Sequence, residues 1–236
     1  MKTLTIIAVL TSNAVLAAAV TAFEPQTPAQ TSAPTRAAAD SNAKPSEQDV
    51  VREQKPAYPL TSCVISGREL GKSGPPVERV VNGRLVRLCC TDCAASLDKD
   101  PSAAIRTIDA AVVTAQKPTY PLKTCPVTGE TLGDKAVDHV SGTRLVRLAN
   151  ADAVAQFDKD PRSALAKVDK ALIDAQRPSY RLKKCVVSDE ALEGDPSMVA
   201  VDYLYGTQLV RFCCKSCIRT FEKDPAAYMK KLAAAK

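Results

Sequence analysis

Val77-Glu78-Arg79-Val80-Val81 and Arg84-Leu85-Val86-Arg87-Leu88 alternate apolar and charged side chains loosely, in the manner of β-strands. Asn82-Gly83 stands between them. Both residues tolerate the positive φ of a tight turn, so the stretch predicts a β-hairpin. The rhythm then changes. Ile105, Ile108 and Val112 recur at i, i+3 and i+7, which marks one apolar face of a helix. Asp100-Pro101 precedes that face, with Asp placed to cap the helix and Pro to preset its first turn. Between hairpin and helix lies "CCTDCAASL", a cysteine cluster running into a short helix.

The same succession returns twice. "RLVRLCCTDCAASLDKDP" at 84–101 is matched by "RLVRLANADAVAQFDKDP" at 144–161 and by "QLVRFCCKSCIRTFEKDP" at 208–225. The copies open on "KPAYPLTSC", "KPTYPLKTC" and "RPSYRLKKC", whose Tyr58, Tyr120 and Tyr180 are expected to pack the start of each unit. Ser141-Gly142 and Tyr205-Gly206 are expected to turn the second and third hairpins, and Leu165, Val168 and Leu172 repeat the helical face. The pattern predicts an α+β chain of three tandem units, 56–116, 117–176 and 177–236, each with a loop cysteine, a hairpin and two helices. The joints "AQKP" and "AQRP" leave almost no linker, so neighbouring units are expected to pack. "EQKP" at 53–56 imitates them and predicts a short helical lead-in. A unit of about 60 residues is marginal alone and wants a staple or a neighbour.

Composition adds a compartment. Met1-Lys2 gives a basic start, Leu4 to Val20 is mostly apolar, and Val20-Thr21-Ala22 offers small residues to a signal peptidase. Residues 1–22 therefore read as a cleaved export signal, which places the mature chain in a periplasmic or extracellular space without stable membrane insertion. Residues 23–55 are rich in Pro, Ala, Thr, Ser and Gln and read as a disordered spacer ending in the helical lead-in. The net charge of +6 is mild, and Lys183, Lys184, Lys215, Arg219, Lys223, Lys230 and Lys231 in the third unit read as a solvated face, not a nucleic-acid surface. With one histidine, no Gly-rich phosphate loop and no Ser/His/Asp set, the chain is not expected to be an enzyme. His139 is expected at the surface, and the carboxylates of "DKDP" and "EKDP" are expected to cap helices.

The chemistry lies in the nine cysteines, which divide as four, one and four. The outer units hold Cys63, Cys89, Cys90 and Cys93, and Cys185, Cys213, Cys214 and Cys217; the middle unit holds Cys125 alone. Ala149, Asn150 and Ala153 stand where the middle cluster would be. One loop thiol plus a cluster at a helix start supplies the ligands of a tetrahedral zinc site, and a helix start is expected to lower the thiol pKa. All-sulfur ligation suits Zn or Cu(I) better than Mg or Ca. The pairs Cys90/Cys93 and Cys214/Cys217 also spell C-x-x-C, but without the parallel βαβ surroundings of redox enzymes.

The pattern of Cys63, Cys89, Cys93 and Asp100-Pro101, recurring as Cys185, Cys213, Cys217 and Asp224-Pro225, resembles the YHS/TRASH class of small metal-binding domains. The resemblance covers the chain after residue 55. It implies treble-clef-like units and a role in sensing, carrying or sequestering heavy metals. Zinc knuckles carry a second Cys three positions after the first, where Ser66, Thr128 and Ser188 stand here. The fourth ligand would then be Cys90 or Cys214, or an exogenous group. Because exported proteins meet an oxidising compartment, the alternative is a disulfide-stapled interaction module without metal, its pairing undetermined by sequence.

Overall fold

The computed structural model describes residues 45–193 and 199–235, which belong to one compact unit. The expected signal peptide and most of the expected spacer lie outside the described residues. Among the described residues no helix is long and apolar enough to cross a membrane. Seven α-helices and three two-stranded antiparallel sheets among the described residues make an α+β fold. The order is α1 (Glu47–Gln54), β1 (Val77–Val81), β2 (Arg84–Leu88), α2 (Asp92–Leu97), α3 (Pro101–Gln116), β3 (Val137–Ser141), β4 (Arg144–Leu148), α4 (Ala151–Phe157), α5 (Pro161–Gln176), β5 (Val201–Tyr205), β6 (Gln208–Phe212), α6 (Lys215–Phe221) and α7 (Pro225–Ala234).

The three hairpins share one register, with Val77 opposite Leu88, Val137 opposite Leu148 and Val201 opposite Phe212. Their turns differ. Asn82 and Gly83 both take positive φ, 51° and 73°, as a type I′ turn requires. In the other two hairpins the turn lies one residue later than expected: Ser141 and Tyr205 finish their strands, and Gly142-Thr143 and Gly206-Thr207 make the bend. Only the glycines there have positive φ, 61° and 65°. β-branched Thr resists that region, so glycine moves to the first turn position, as in type II′.

Asp100, Asp160 and Asp224 cap α3, α5 and α7, each side chain accepting a backbone N–H, from Ala103, Ser163 and Ala227. Ile108, Val112 and Val168 are buried as expected, but Ala104 on α3 and Ala164 and Ile173 on α5 complete the buried faces, with Ile105, Leu165 and Leu172 only half-buried. The reason is that α3 serves two hairpins. Its core contains Val86 and Leu88 of β2 together with Leu145 of β4. Each helix–hairpin joint is closed by a glutamine at the helix end. The Gln116 amide donates to Thr143 O (2.7 Å) while its carbonyl oxygen accepts from Leu145 N–H (2.9 Å). Gln54 does the same at Gly83 and Leu85, and Gln176 at Thr207 and Leu209. The hydroxyls of Tyr58, Tyr120 and Tyr180 accept the N–H of Arg87, Arg147 and Arg211.

The end of α1 also meets the other two turns. Buried Thr143 donates its hydroxyl to Gln54 O (2.9 Å), and Gly206 lies so close to Pro56 that an added Cβ would stand 2.9 Å from its backbone.

Candidate metal centre

Each lone cysteine sits in a tight turn that a looser loop reading of the sequence does not capture. Cys63 N–H donates to Arg68 O, Gly67 N–H returns to Cys63 O, and Leu70 N–H donates to Thr61 O. Cys125 and Cys185 repeat this with Glu130, Gly129 and Leu132, and with Glu190, Asp189 and Leu192. The fourth residue after the cysteine needs positive φ: Gly67 at 72°, Gly129 at 79° and Asp189 at 60°. That Gly, Gly or Asp was the available sequence signal for the turn. The turn also aims backbone N–H groups of the second and third residues at the sulfur.

Two cysteine triads are positioned to bind a metal: Cys63, Cys89 and Cys93, and Cys185, Cys213 and Cys217, with the sulfurs of each set within 4.8 Å of one another. The hairpin carries the second cysteine at its end, the short helix carries the third, and the tight turn brings in the first. Cys89 Sγ lies 3.8 Å from Cys93 Sγ, and Cys213 Sγ 3.7 Å from Cys217 Sγ. Four thiolates around zinc, with Zn–S bonds of about 2.3 Å, have edges of about 3.8 Å. Cys90 and Cys214 stand outside these triads but on their edges. Cys90 Sγ is 3.7 Å from both Cys89 and Cys93, and Cys214 Sγ is 3.8 and 3.6 Å from Cys213 and Cys217. All nine cysteines are free thiols, and these separations far exceed the ~2.05 Å of a disulfide bond. Ser66 and Ser188, at the position of a knuckle's second cysteine, place their hydroxyls 3.2 Å from Cys89 Sγ and Cys213 Sγ. The sequence marked these serines only as missing cysteines; in the fold they touch the triads.

The thiols separate into two kinds. Burial pushes the Cys63 thiol up, but the Ser66 hydroxyl and the N–H groups of Ser66, Cys89 and Ile65 outweigh it and bring it down to about 6. Cys185 follows the same logic, through Ser188, Cys213 and Val187, to about 7. Burial instead dominates at Cys93, which rises to about 12, at Cys217, which rises to about 11, and at Cys213, which rises with help from the Glu190 side chain. The expectation that the helix start lowers the cluster thiols therefore fails for Cys93 and Cys217: desolvation exceeds the pull of so short a helix. The lowered cluster thiols are the outer ones. The N–H of Cys93 lowers Cys90, while the Ser216 hydroxyl and the N–H of Cys217 bring exposed Cys214 to about 7.

At the second hairpin the frame persists without the sulfurs. Asn150 caps α4 by accepting the N–H of Ala153 (3.0 Å), whereas Cys214 at the matching position makes no side-chain cap hydrogen bond to α6. Ala153 and Cys125 are buried in an apolar core with Phe157 and Val168. His139 is half-buried, not free at the surface: its ring meets Phe157 edge-on at 5.0 Å, and Nε2 lies 3.9 Å from Asp158.

Compared with models of protein families, with curated proteins and with solved structures, the chain matches none.

Proposed function

We propose that this is an exported, non-enzymatic protein that binds zinc, or another soft metal such as Cu(I), through two cysteine sites. It serves metal sequestration, transfer or sensing. The observation that carries the proposal is the pair of triads, each gathered within 4.8 Å, whose Cys89–Cys93 and Cys213–Cys217 edges match tetrahedral thiolate coordination and not a disulfide. Cys63/Cys89/Cys93 and Cys185/Cys213/Cys217 supply three ligands each; Cys90 and Cys214 supply the fourth. Sulfur-only donors favour soft or borderline ions.

The three segments are read as three treble-clef-like units of the YHS/TRASH type, supported by the shared hairpin register, the recurring capped helices and the tight turn at each lone cysteine. The middle unit is a spacer without a cluster, held by the same joints as its neighbours. Export rests on the basic and apolar character of residues 1–22. The test is to purify the chain from an oxidising compartment and measure bound metal and free thiols together. Two metals per chain, with thiols reactive after chelation, is the expected result, and Cys93→Ser with Cys217→Ser lowers the metal content stepwise. A metal-free chain with its cysteines paired as disulfides overturns the proposal in favour of a stapled module.

A further inference from the structure

In each outer segment one thiol serves two geometries. Cys217 closes the triad with Cys185 and Cys213, yet its sulfur is also 3.6 Å from that of Cys214. Cys93 stands in the same double relation, closing the triad with Cys63 and Cys89 while lying 3.7 Å from Cys90. Exposure within each pair is graded: Cys214 is exposed and Cys90 half-buried, while Cys217 and Cys93 are buried. A disulfide arriving from solvent therefore meets the first cysteine of each C-x-x-C and not the second. The Ser216 hydroxyl lies 3.0 Å from Cys214 Sγ and orients it. At the middle segment both members are absent together, with Asn150 and Ala153 in their places, so that segment lacks the dithiol as well as the triad.

We infer that Cys90/Cys93 and Cys214/Cys217 are dithiols that exchange with low-molecular-weight disulfides, and that their closure withdraws a ligand from each metal triad. The inference rests on the metal-binding reading for its consequence but not for its chemistry. The Cys214 thiolate attacks one sulfur of a disulfide RSSR; a Cys214–SR bond forms and one RS⁻ leaves. The Cys217 sulfur, as a thiolate, then attacks the Cys214 sulfur, the Cys214–Cys217 bond forms, and the second RS⁻ departs. The protein pair is oxidised by two electrons and RSSR is reduced to two thiolates. Closure takes both Cys214 and Cys217 out of the ligand set and leaves only Cys185 and Cys213, so the metal is released as its cation. Cys90 and Cys93 follow the same steps. The pair acts stoichiometrically, as a redox gate on metal binding.

The test treats the zinc-loaded full chain and the metal-free chain with an aromatic disulfide such as 4,4′-dithiodipyridine. Peptide mapping by mass spectrometry reads the linkages, and a chromogenic chelator reads free zinc. The expected result is Cys90–Cys93 and Cys214–Cys217 disulfides in both samples, with one zinc released per disulfide closed. Ser216→Ala, which removes the hydroxyl beside Cys214 and no ligand, slows Cys214–Cys217 closure while leaving zinc loading and the Cys90–Cys93 linkage unchanged. Disulfides that instead join Cys63 to Cys89 or Cys185 to Cys213 overturn the inference, as does zinc that stays bound after both pairs have closed. A chain that forms both expected disulfides but binds no zinc when reduced overturns the metal reading and leaves the dithiol assignment standing.

Discussion

Replacing Ala149 and Ala153 by cysteine is expected to build a further metal site around Cys125. Cys125 already accepts bonds from the Thr128 hydroxyl and from the N–H groups of Thr128, Ala149 and Val127, the counterparts of those around Cys63. Ala149 and Ala153 hold the places of Cys89 and Cys93, whose sulfurs lie 3.8 Å apart. Ala153 is fully buried against Phe157, Ala164 and Val168, so its added sulfur costs about 1–3 kcal/mol of overpacking in the metal-free chain. At roughly 2–4 °C per kcal/mol for a chain of this size, Tm falls by roughly 2–12 °C. Zinc at a hundred times its Kd for the new site returns about 2.7 kcal/mol. Calorimetric melting with and without zinc, combined with stoichiometry by chelator competition, checks both halves. The expected outcome is one extra zinc equivalent and a zinc-dependent recovery of Tm in Ala149→Cys/Ala153→Cys. A folded double variant that takes up no additional zinc refutes the reasoning, because thiol placement would then not be what makes a site.

Two other expectations concern the joints and the protons. Gly206→Ala and Gly83→Ala both force a side chain to positive φ, a cost of about 1–2 kcal/mol, but only at Gly206 does the new Cβ meet the Pro56 backbone at 2.9 Å. Denaturant unfolding should show Gly206→Ala losing about 1–3 kcal/mol more, and equal losses would remove the contact from the account. Zinc loading near pH 8 should release protons: Cys93 and Cys217, held at about 12 and about 11, and the raised Cys213 must deprotonate to ligate. Cys63, at about 6, contributes almost none, and Cys185, at about 7, little. Because the raised thiols bind zinc only after losing protons, affinity increases with pH across this range. Titration calorimetry in buffers of different ionisation enthalpy measures the release, and a buffer-independent heat contradicts it.

What local chemistry dictates could be read from the chain. Loose apolar–charged alternation and Asn82-Gly83 specify a hairpin, Asp100-Pro101 starts a helix, and Gln54, Gln116 and Gln176 recur in the joints that precede the three hairpins. The grouping of the cluster cysteines was also legible, since Cys89 and Cys93 are four residues apart across a strand–helix junction. The exact turn positions were not, because the choice between Ser141-Gly142 and Gly142-Thr143 turns on where strand pairing ends. On α3 and α5 Ile108, Val112 and Val168 were read correctly, but Ile105, Leu165 and Leu172 were not, for a related reason. An apolar stripe is visible in sequence, but which part of it is buried depends on packing against two hairpins at once.

The triads belong to the tertiary structure. Cys63 and Cys89 are 26 positions apart in the chain, and only the tight turn and the hairpin packed together bring their sulfurs into one group. The protonation pattern belongs there too: the same residue type is pulled down at Cys63 by converging N–H groups and pushed up at Cys93 by burial. Periodicity, caps and turns are properties of neighbouring residues, so composition along the chain encodes them. Distances, desolvation and shared ligands arise between segments remote in sequence, and they exist only once the chain has packed.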